Sequence, residues 1–260
     1  MGPNERGQGQ RQERIAELVL DQSFVAAKTL AREFAVSLMT IHRDLDELEA
    51  QGILRKVRGG ATPQPSSIFE SNARYRVTVA KTQKQALANF ALTLIEPGHA
   101  VVLDDSTTVL TLARLLPEVT PLTVLTNSLA VLQELKSVKQ LHLIVLGGDF
   151  LPRHNCFSGL VCEATIAAMR ADVLFMSSMA ISGGIVFQPD QELALVKRAM
   201  IAAAAKRVLL VDHTKFGRIA LHRVAALRDF DLVVVDEGID DAGLRQLRDA
   251  EVPFQVDPLA

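Results

Sequence analysis

Short groups of hydroxyl, amide, carboxylate and lysine side chains recur in the second part of the chain, each directly after an apolar run. These groups are Asp104-Asp-Ser-Thr-Thr108, Thr126-Asn-Ser128, Gly147-Gly148 and Asp212-His-Thr-Lys-Phe216. Hydroxyls at a helix start come with unpaired backbone amides and a favourable dipole, which suit an anion, and a lysine adds the counter-charge. Each group taken singly also fits ordinary helix capping. Together they predict a pocket for a small phosphorylated or carboxylated ligand.

The elements that must position these groups alternate between strand and helix. Continuous Val/Ile/Leu runs predict strands at residues 100–104, 122–126, 141–146, 172–176, 208–212 and 232–236. Helical patterns lie at residues 82–95, 107–116, 128–136, 160–169, 190–205 and 240–249. Strands that are apolar on both faces indicate a parallel sheet covered by helices. The sequence therefore predicts a doubly wound, mostly parallel α/β domain, with the polar groups sharing one crevice at the carboxyl ends of its strands.

The first 61 residues have a different pattern, with three short amphipathic helices and a basic ribbon. Apolar residues at three- and four-residue spacing mark the helices: Ile15, Leu18 and Val19, then Leu30, Ala31 and Phe34, then Leu38, Ile41, Leu45 and Leu48. Ser37 is placed to cap the third helix and Gly52 to end it. This arrangement predicts a winged helix-turn-helix, which presents a helix to the major groove of DNA and a wing to the backbone.

Polar and basic side chains occupy the positions from which such a domain contacts DNA. If the apolar face of the third helix points inward, Arg43 points outward and can donate two hydrogen bonds to a guanine. Residues 53–84 carry seven Lys and Arg against one Glu, an excess that would attract a polyanion, although a charge run also fits a solvated surface. The predicted DNA contacts are Ser37, Thr40, His42, Arg43, Arg55, Lys56 and Arg58.

Composition limits the other possibilities. The chain has 260 residues, 48% of them hydrophobic and 22% charged, as in an ordinary globular protein. The Pro/Ser-rich stretch after residue 61 predicts a domain at residues 1–61, a linker at 62–72 and a second domain at 73–260. Without a membrane-length apolar run or a secretory leader, we expect a cytoplasmic protein. Two cysteines, Cys156 and Cys162, with no metal-site spacing predict no disulfide and no metal. We also expect no cofactor.

Two segments of the first part carry recognisable motifs. Val36-Ser-Leu-Met-Thr-Ile-His-Arg-Asp-Leu45 is similar to the pattern V-S-x-x-T-I-R-R-D-L, and Lys56-Val-Arg-Gly-Gly-Ala61 is similar to a basic residue followed by V-H-G-G-A. With these two patterns, the first part resembles the DeoR family of bacterial transcriptional regulators. His42 stands where the family usually has Arg, and Arg58 where it usually has His. The resemblance implies DNA binding but does not give the operator sequence.

The second part resembles the sensor domain of the same family. The patterns K-x-x-I-A, L-D-x-G-T-T, T-N-S, L-G-G and D-x-S-K-F appear in order as Lys84-Gln-Ala-Leu-Ala88, Leu103-Asp-Asp-Ser-Thr-Thr108, Thr126-Asn-Ser128, Leu146-Gly-Gly148 and Asp212-His-Thr-Lys-Phe216. The resemblance implies a fold similar to ribose-5-phosphate isomerases and CoA transferases, and a phosphorylated sugar as effector. The effector residues it implies are Asp104, Ser106, Thr107, Thr108, Thr126, Asn127, Gly147, Gly148, Asp212 and Lys215. Ser106 replaces the usual Gly, and we expect its side chain to crowd the phosphate.

These observations predict a homo-oligomeric repressor of a carbohydrate operon that binds double-stranded operator DNA and releases it when a phosphorylated sugar binds. One alternative is a sugar-phosphate isomerase with an appended helical domain, in which Lys215 and Asp212 act as acid and base. Another is a ligand-binding module whose helices hold a protein partner. The regulator is preferred over the isomerase because a DNA-reading segment has no use in isomerisation and no carboxylate is clearly dedicated to proton abstraction. No catalytic residue is assigned.

Overall fold

The computed structural model describes residues 3–22, 24–50, 53–63, 73–77 and 79–257, which form two compact units, Met1–Val79 and Ala80–Ala260. Gly52, expected to end a helix, and residues 64–72 of the expected linker lie outside the described residues. The domain borders drawn from the sequence stay a prediction.

The first unit contains a winged helix-turn-helix, which confirms the predicted class. Ile15, Leu30, Ile41, Leu45 and Leu48 are fully buried and hold its helices together. Its elements are α1 (Pro3–Gln22), β1 (Val25–Ala26), α2 (Ala27–Glu33), α3 (Leu38–Ala50), β2 (Leu54–Val57), β3 (Gly60–Pro63) and α4 (Ala73–Arg76).

Two details of this unit differ from the sequence prediction. Leu38, expected to face inward, is 40% exposed, because it is the first residue of α3 and the core contacts of that helix begin at Ile41. The ribbon has three strands instead of two, in the order β1-β3-β2, because Val25 and Ala26 pair with Ala61 and Gly60. A Cβ at Gly60 would overlap the Val25 carbonyl oxygen, so the close approach of β1 requires glycine there.

The second unit is built on a seven-stranded sheet in the order β15-β14-β12-β9-β4-β5-β6, with every neighbouring pair parallel. Its helices and strands are α5 (Lys81–Leu92), β4 (Ala100–Leu103), α6 (Thr107–Ala113), β5 (Leu122–Thr126), α7 (Leu129–Leu135), β6 (Leu141–Val145), β7 (Asp149–Leu151), β8 (Cys156–Ser158), α8 (Leu160–Ala167), β9 (Ala171–Met176), β10 (Ala180–Ser182), β11 (Ile185–Gln188), α9 (Gln191–Ala203), β12 (Ala204–Val211), β13 (His222–Ala226), β14 (Leu232–Asp236), α10 (Asp241–Asp249) and β15 (Phe254–Asp257).

Both faces of this sheet are buried, as a doubly wound domain requires. Val102, Leu174 and Leu209 pack in one core cluster with residues of α8, α9 and α10. Their neighbours Leu103 and Phe175 belong to the opposite face and are also fully buried. The helices α5, α6 and α7 contact one another in turn, and α6 contacts β4, β9 and β12. The predicted fold class is confirmed.

The strand order reverses between β4 and β9, since the chain proceeds from β4 to β5 and β6 on one side and from β9 to β12, β14 and β15 on the other. In open α/β sheets, ligands bind outside the carboxyl ends of the strands at such a reversal.

Smaller elements that the sequence did not predict are the edge strand β15, the antiparallel sheet β10-β11-β13 and the hairpin β7-β8. In the part of the chain that the structure describes, no helix combines the length and hydropathy needed to cross a membrane.

Candidate functional site

The predicted effector residues follow four strands whose carboxyl ends lie along one edge of the sheet, called the carboxyl edge below. They lie at residues 104–108 after β4, at 126–127 at the end of β5, at 147–148 after β6 and at 212–215 after β12. β4, β5 and β6 are neighbours, while β12 is separated from β4 by β9 alone. The structure therefore places all four groups at one edge, and the spacing between the ends of β4 and β12 is about 10 Å.

Asp104, at the reversal between β4 and β9, is the most heavily bonded of these residues. Its side chain is fully buried and accepts from the backbone amides of Ser106 at 2.9 Å and Ser177 at 3.0 Å. It also accepts a hydrogen bond from the ammonium of Lys197. Asp104 therefore joins the end of β9 to the start of α6.

Lys197 was not predicted as a site residue, yet its ammonium lies at the centre of the carboxyl edge. The side chain comes from α9, is 4% exposed and donates to the Ser177 carbonyl at 3.1 Å. The ammonium also lies 3.5 Å from Asp105 Oδ1, so one buried cation faces two buried carboxylates. The sequence feature that could have identified Lys197 is its spacing from Leu193 and Met200, which puts it on the buried face of α9.

Asn127 has a buried acceptor that no described residue satisfies. The side chain is fully buried, and its Nδ2 donates to the Phe157 carbonyl of β8 at 2.9 Å, which fixes the orientation of the amide. Its Oδ1 has no hydrogen-bond partner among the described residues. Buried amide oxygens are rarely left unpaired, since the loss of a hydrogen bond to water is not compensated. The Asn127 side chain therefore ties the end of β5 to the hairpin β7-β8.

The remaining predicted residues after β4, β5 and β6 have visible local roles. Ser106 has an extended backbone that any residue adopts, and its hydroxyl accepts from Val109 N at 3.2 Å, so it caps α6. Thr126 Oγ1 accepts from Ser128 N at 3.0 Å. A Cβ at Gly148 would overlap the Ser158 carbonyl oxygen, so this glycine lets the chain pass close to β8. Thr107 and Thr108 are buried, while Gly147 is half-buried and borders open space.

Asp212 and Lys215 form a charged pair at the end of β12. Asp212 is 1% exposed, and its Oδ2 lies 3.5 Å from Lys215 Nζ. Burial is the largest single influence and by itself would raise the pKa of Asp212. Lys215 and Lys84, together with the donors of Thr214, act in the opposite direction and hold the pKa below its ordinary value. The carboxylate is therefore ionised and anchors Lys215 at the carboxyl edge.

This pKa predicts a dependence of stability on pH. The ionised Asp212 stabilises the fold above its unfolded pKa of 3.8, and this contribution is lost as the pH falls through the lower folded value. Asp212→Asn should therefore unfold more easily than the wild type near neutral pH, and the difference should shrink in acid. Urea titrations followed by circular dichroism between about pH 7 and about pH 3 measure it. Asp249→Asn controls for net charge, and a difference that grows in acid would contradict the assignment.

An aspartate–histidine pair beside this group, Asp236 with His213, was also not predicted. The fully buried Asp236 accepts from the backbone and from Nδ1 of His213, both at 2.7 Å. A Cβ at Gly238 would overlap the His213 ring, so the pair needs glycine at that position. His213 is thereby held at the end of β12, next to Asp212.

In the first unit, Ser37 and Thr40 form the start of α3. Ser37 Oγ accepts from Thr40 N at 3.1 Å, which confirms the expected cap, and lies 2.9 Å from Thr40 Oγ1. Arg43 is exposed, whereas His42 is half-buried with an Nδ1 that has no hydrogen-bond partner among the described residues. Arg43 is therefore more accessible to a base edge than Thr40 or His42, which are both half-buried.

The wing, defined as β2, β3 and the turn Arg58-Gly59 between them, carries the other predicted contacts. Arg55 and Arg58 are exposed. Lys56 is half-buried and forms an ion pair with Asp46 of α3 at 2.5 Å. Contact of Lys56 with a phosphate must therefore compete with a carboxylate, whereas the two arginines have no ion pair among the described residues.

Asp44 is not on the outer face of α3. It is 1% exposed and accepts two hydrogen bonds from Arg11 of α1, at 2.6 and 3.1 Å. Hydrogen bonding to Asp44 raises the pKa of Arg11, so its guanidinium stays charged. This bidentate contact fixes α3 against α1 directly beside Arg43.

Comparisons with known proteins address both units. A family model described as "DeoR C terminal sensor domain" matches residues 79–237, and one described as "DeoR-like helix-turn-helix domain" matches residues 11–66. The "Uncharacterized HTH-type transcriptional regulator YgbI" of Escherichia coli K12 is 31% identical over 92% of this chain and 93% of its own. The "Glycerol-3-phosphate regulon repressor" of the same strain is 30% identical over 96% of this chain and 99% of its own. A solved ribose 5-phosphate isomerase A from Methanocaldococcus jannaschii aligns with 52% of this chain and 54% of its own, at 15% identity and a TM-score of 0.38.

A winged helix-turn-helix followed by a parallel sensor sheet defines the class of DNA-binding transcriptional regulators. The chain belongs to the DeoR family, as its motifs predicted. It is a DNA-binding transcriptional regulator rather than an enzyme, so the alternative of an isomerase is set aside.

Proposed function

We propose that the chain represses a carbohydrate-metabolism operon and releases its operator when a phosphorylated sugar binds at the carboxyl edge. The observation that carries the effector assignment is the partly exposed ammonium of Lys215 at the same sheet edge as the polar groups that end β4, β5 and β6. A cation beside hydroxyl and amide groups suits a phosphate attached to a polyol. The relative named for glycerol 3-phosphate, a phosphorylated polyol, supports the same chemical class.

Lys215 supplies the charge for a phosphate group. It is 20% exposed, whereas the side chain of Lys197 is 4% exposed and already faces two carboxylates. Three strand spacings, about 14 Å, separate the ends of β5 and β12. A ligand that reaches from the end of β5 to Lys215 must be several ångströms long even after the reach of the side chains. An extended sugar phosphate has that length, and inorganic phosphate does not.

The proposed mechanism is thermodynamic linkage in a homo-oligomer. Two copies place their winged helix-turn-helix domains on the two halves of an operator with two-fold symmetry, as is general for regulators of this kind. If the sugar phosphate binds the DNA-competent arrangement less tightly, operator affinity falls by the same factor by which DNA lowers effector affinity. We propose the cytoplasm as the site of action, because both DNA and sugar phosphates are found there.

The test is an operator-binding titration with a panel of effectors. A DNA site is first selected from random sequences with the full-length chain. The affinity of the chain for this site is then measured in the presence of each compound: ribose 5-phosphate, fructose 6-phosphate, glycerol 3-phosphate, the matching unphosphorylated compounds and inorganic phosphate. We expect one phosphorylated compound to weaken binding while its unphosphorylated form and inorganic phosphate do not. Unchanged affinity with every phosphorylated compound would contradict the effector assignment.

The role of Lys215 gives a sharper prediction. Lys215→Met should bind the selected DNA as the wild type does but require roughly 10- to 100-fold more effector, the cost of losing a charged hydrogen bond. Arg218→Met is the matched control, because Arg218 is an exposed cation in the same loop. If both variants respond to the effector like the wild type, Lys215 does not hold the phosphate.

A further inference from the structure

The outer face of α3 combines an apolar and a cationic side chain in its first two turns. Met39 is 68% exposed and lies outside the core cluster of its unit. Arg43, four residues later, is also exposed, and this spacing puts both side chains on one face, about 6 Å apart along the helix axis. Ile41 and Leu45, between and beyond them, are fully buried on the inner face.

The other side chains of these two turns are less available. The Thr40 hydroxyl already contacts Ser37, and His42 is half-buried. Leu38, beside Met39, is 40% exposed and widens the apolar surface. A partner that approaches the start of α3 therefore meets a thioether and a guanidinium.

The same outer face is acidic in the last two turns of the helix. Asp46 forms its ion pair with Lys56 of the wing. Glu47 accepts from Gln12 of α1 at 2.6 Å. Because DNA phosphates repel carboxylates, the N-terminal half of α3, with Met39 and Arg43, is the half that fits against DNA.

We propose that Met39 reads the 5-methyl group of a thymine in the major groove, beside a guanine read by Arg43. The inference rests on the operator recognition proposed above. The thymine methyl is the apolar group that the base edges expose in the major groove, and arginine to guanine is the commonest specific contact there. Methionine is unbranched and polarisable, so it adapts to such a surface. Since base pairs stack at about 3.4 Å, side chains 6 Å apart along the helix axis place the two bases within about two base pairs of each other.

Deoxyuridine provides the test, because it differs from thymidine by this methyl group alone. A site selected with the full-length chain is resynthesised with each thymine replaced in turn. At one position the wild type should lose about fourfold in affinity, the value for burying one methyl group. A 7-deazaguanine substitution within about two base pairs of that position should also weaken binding, since it removes an acceptor that Arg43 uses.

Variants of Met39 separate this contact from a general loss of binding. Met39→Ala should bind the thymine and uracil duplexes equally, and Met39→Leu should keep the difference. Leu160→Ala, at a residue 82% exposed in the second unit, should behave as the wild type. The proposal is overturned if no uracil substitution weakens wild-type binding, or if Met39→Ala keeps the full difference. Failure to select any sequence would instead contradict operator recognition itself.

Discussion

Replacing Lys197 with methionine should lower the free energy of unfolding of the second unit by about 3–5 kcal/mol, the cost of removing one partner from a buried ion pair. The variant would leave Asp104 and Asp105 as two buried carboxylates without their shared cation. The Ser177 carbonyl would lose a donor as well. Urea unfolding followed by far-ultraviolet circular dichroism measures the change.

Two further variants separate the loss of charge from the loss of packing. Lys139→Met, at an exposed position, should change the stability by no more than about 0.5 kcal/mol. The double variant Lys197→Met with Asp104→Asn should recover part of the loss, because one uncompensated carboxylate is removed with the cation. A loss for Lys197→Met no larger than that of Lys139→Met would show that Lys197 does not hold the carboxyl edge together.

Arg43→Ala should lower affinity for the selected DNA site by roughly 10- to 100-fold, as expected for the loss of a bidentate contact to guanine. The loss should be confined to sites that carry that guanine, so the preference at one base pair disappears. Binding titrations on the selected duplex and on duplexes substituted at each guanine measure both effects.

Arg58→Ala in the wing is the comparison. Its loss should be similar on every sequence, and the slope of log affinity against log salt should fall by about one, as for a single phosphate contact. If Arg43→Ala weakens selected and random DNA equally, Arg43 contacts the backbone and the assignment of α3 as the base-reading helix loses its main support.

The central strands of the sheet could be predicted from the sequence because burial on both faces leaves an uninterrupted apolar run, as in Val208–Val211. The strand β15 was missed because it lies at the edge of the sheet and its sequence, Phe254–Asp257, is half polar. β1, with two residues, is too short to show any period. Residues 204 and 205 were assigned to a helix since alanine favours helix, but pairing of Ala204 with Ala171 of β9 makes this segment a strand.

For the effector site, the sequence predicted which loops meet but not which side chains occupy the centre. Residues that directly follow a strand are found by position alone, as with Asp104 and Asp212. The contact between Lys197 and Asp104 joins residues 93 positions apart, and no local pattern specifies such a pairing. Asn127 was predicted from its position after β5, but the Phe157 carbonyl that orients its amide lies 30 positions further along the chain, in the hairpin β7-β8.

The wing is connected to the helices by strand β1, which pairs with β3. Val25 and Ala26 pair with β3, and the next residue, Ala27 at the start of α2, donates to the Gly59 carbonyl at 2.9 Å. The tip of the wing is therefore tied to α2 through backbone bonds that depend on no exposed side chain. If residues 38–43 are replaced by those of a relative, the chimeric regulator should acquire a new base preference. The contacts of the wing with the flanking phosphates should keep their original geometry.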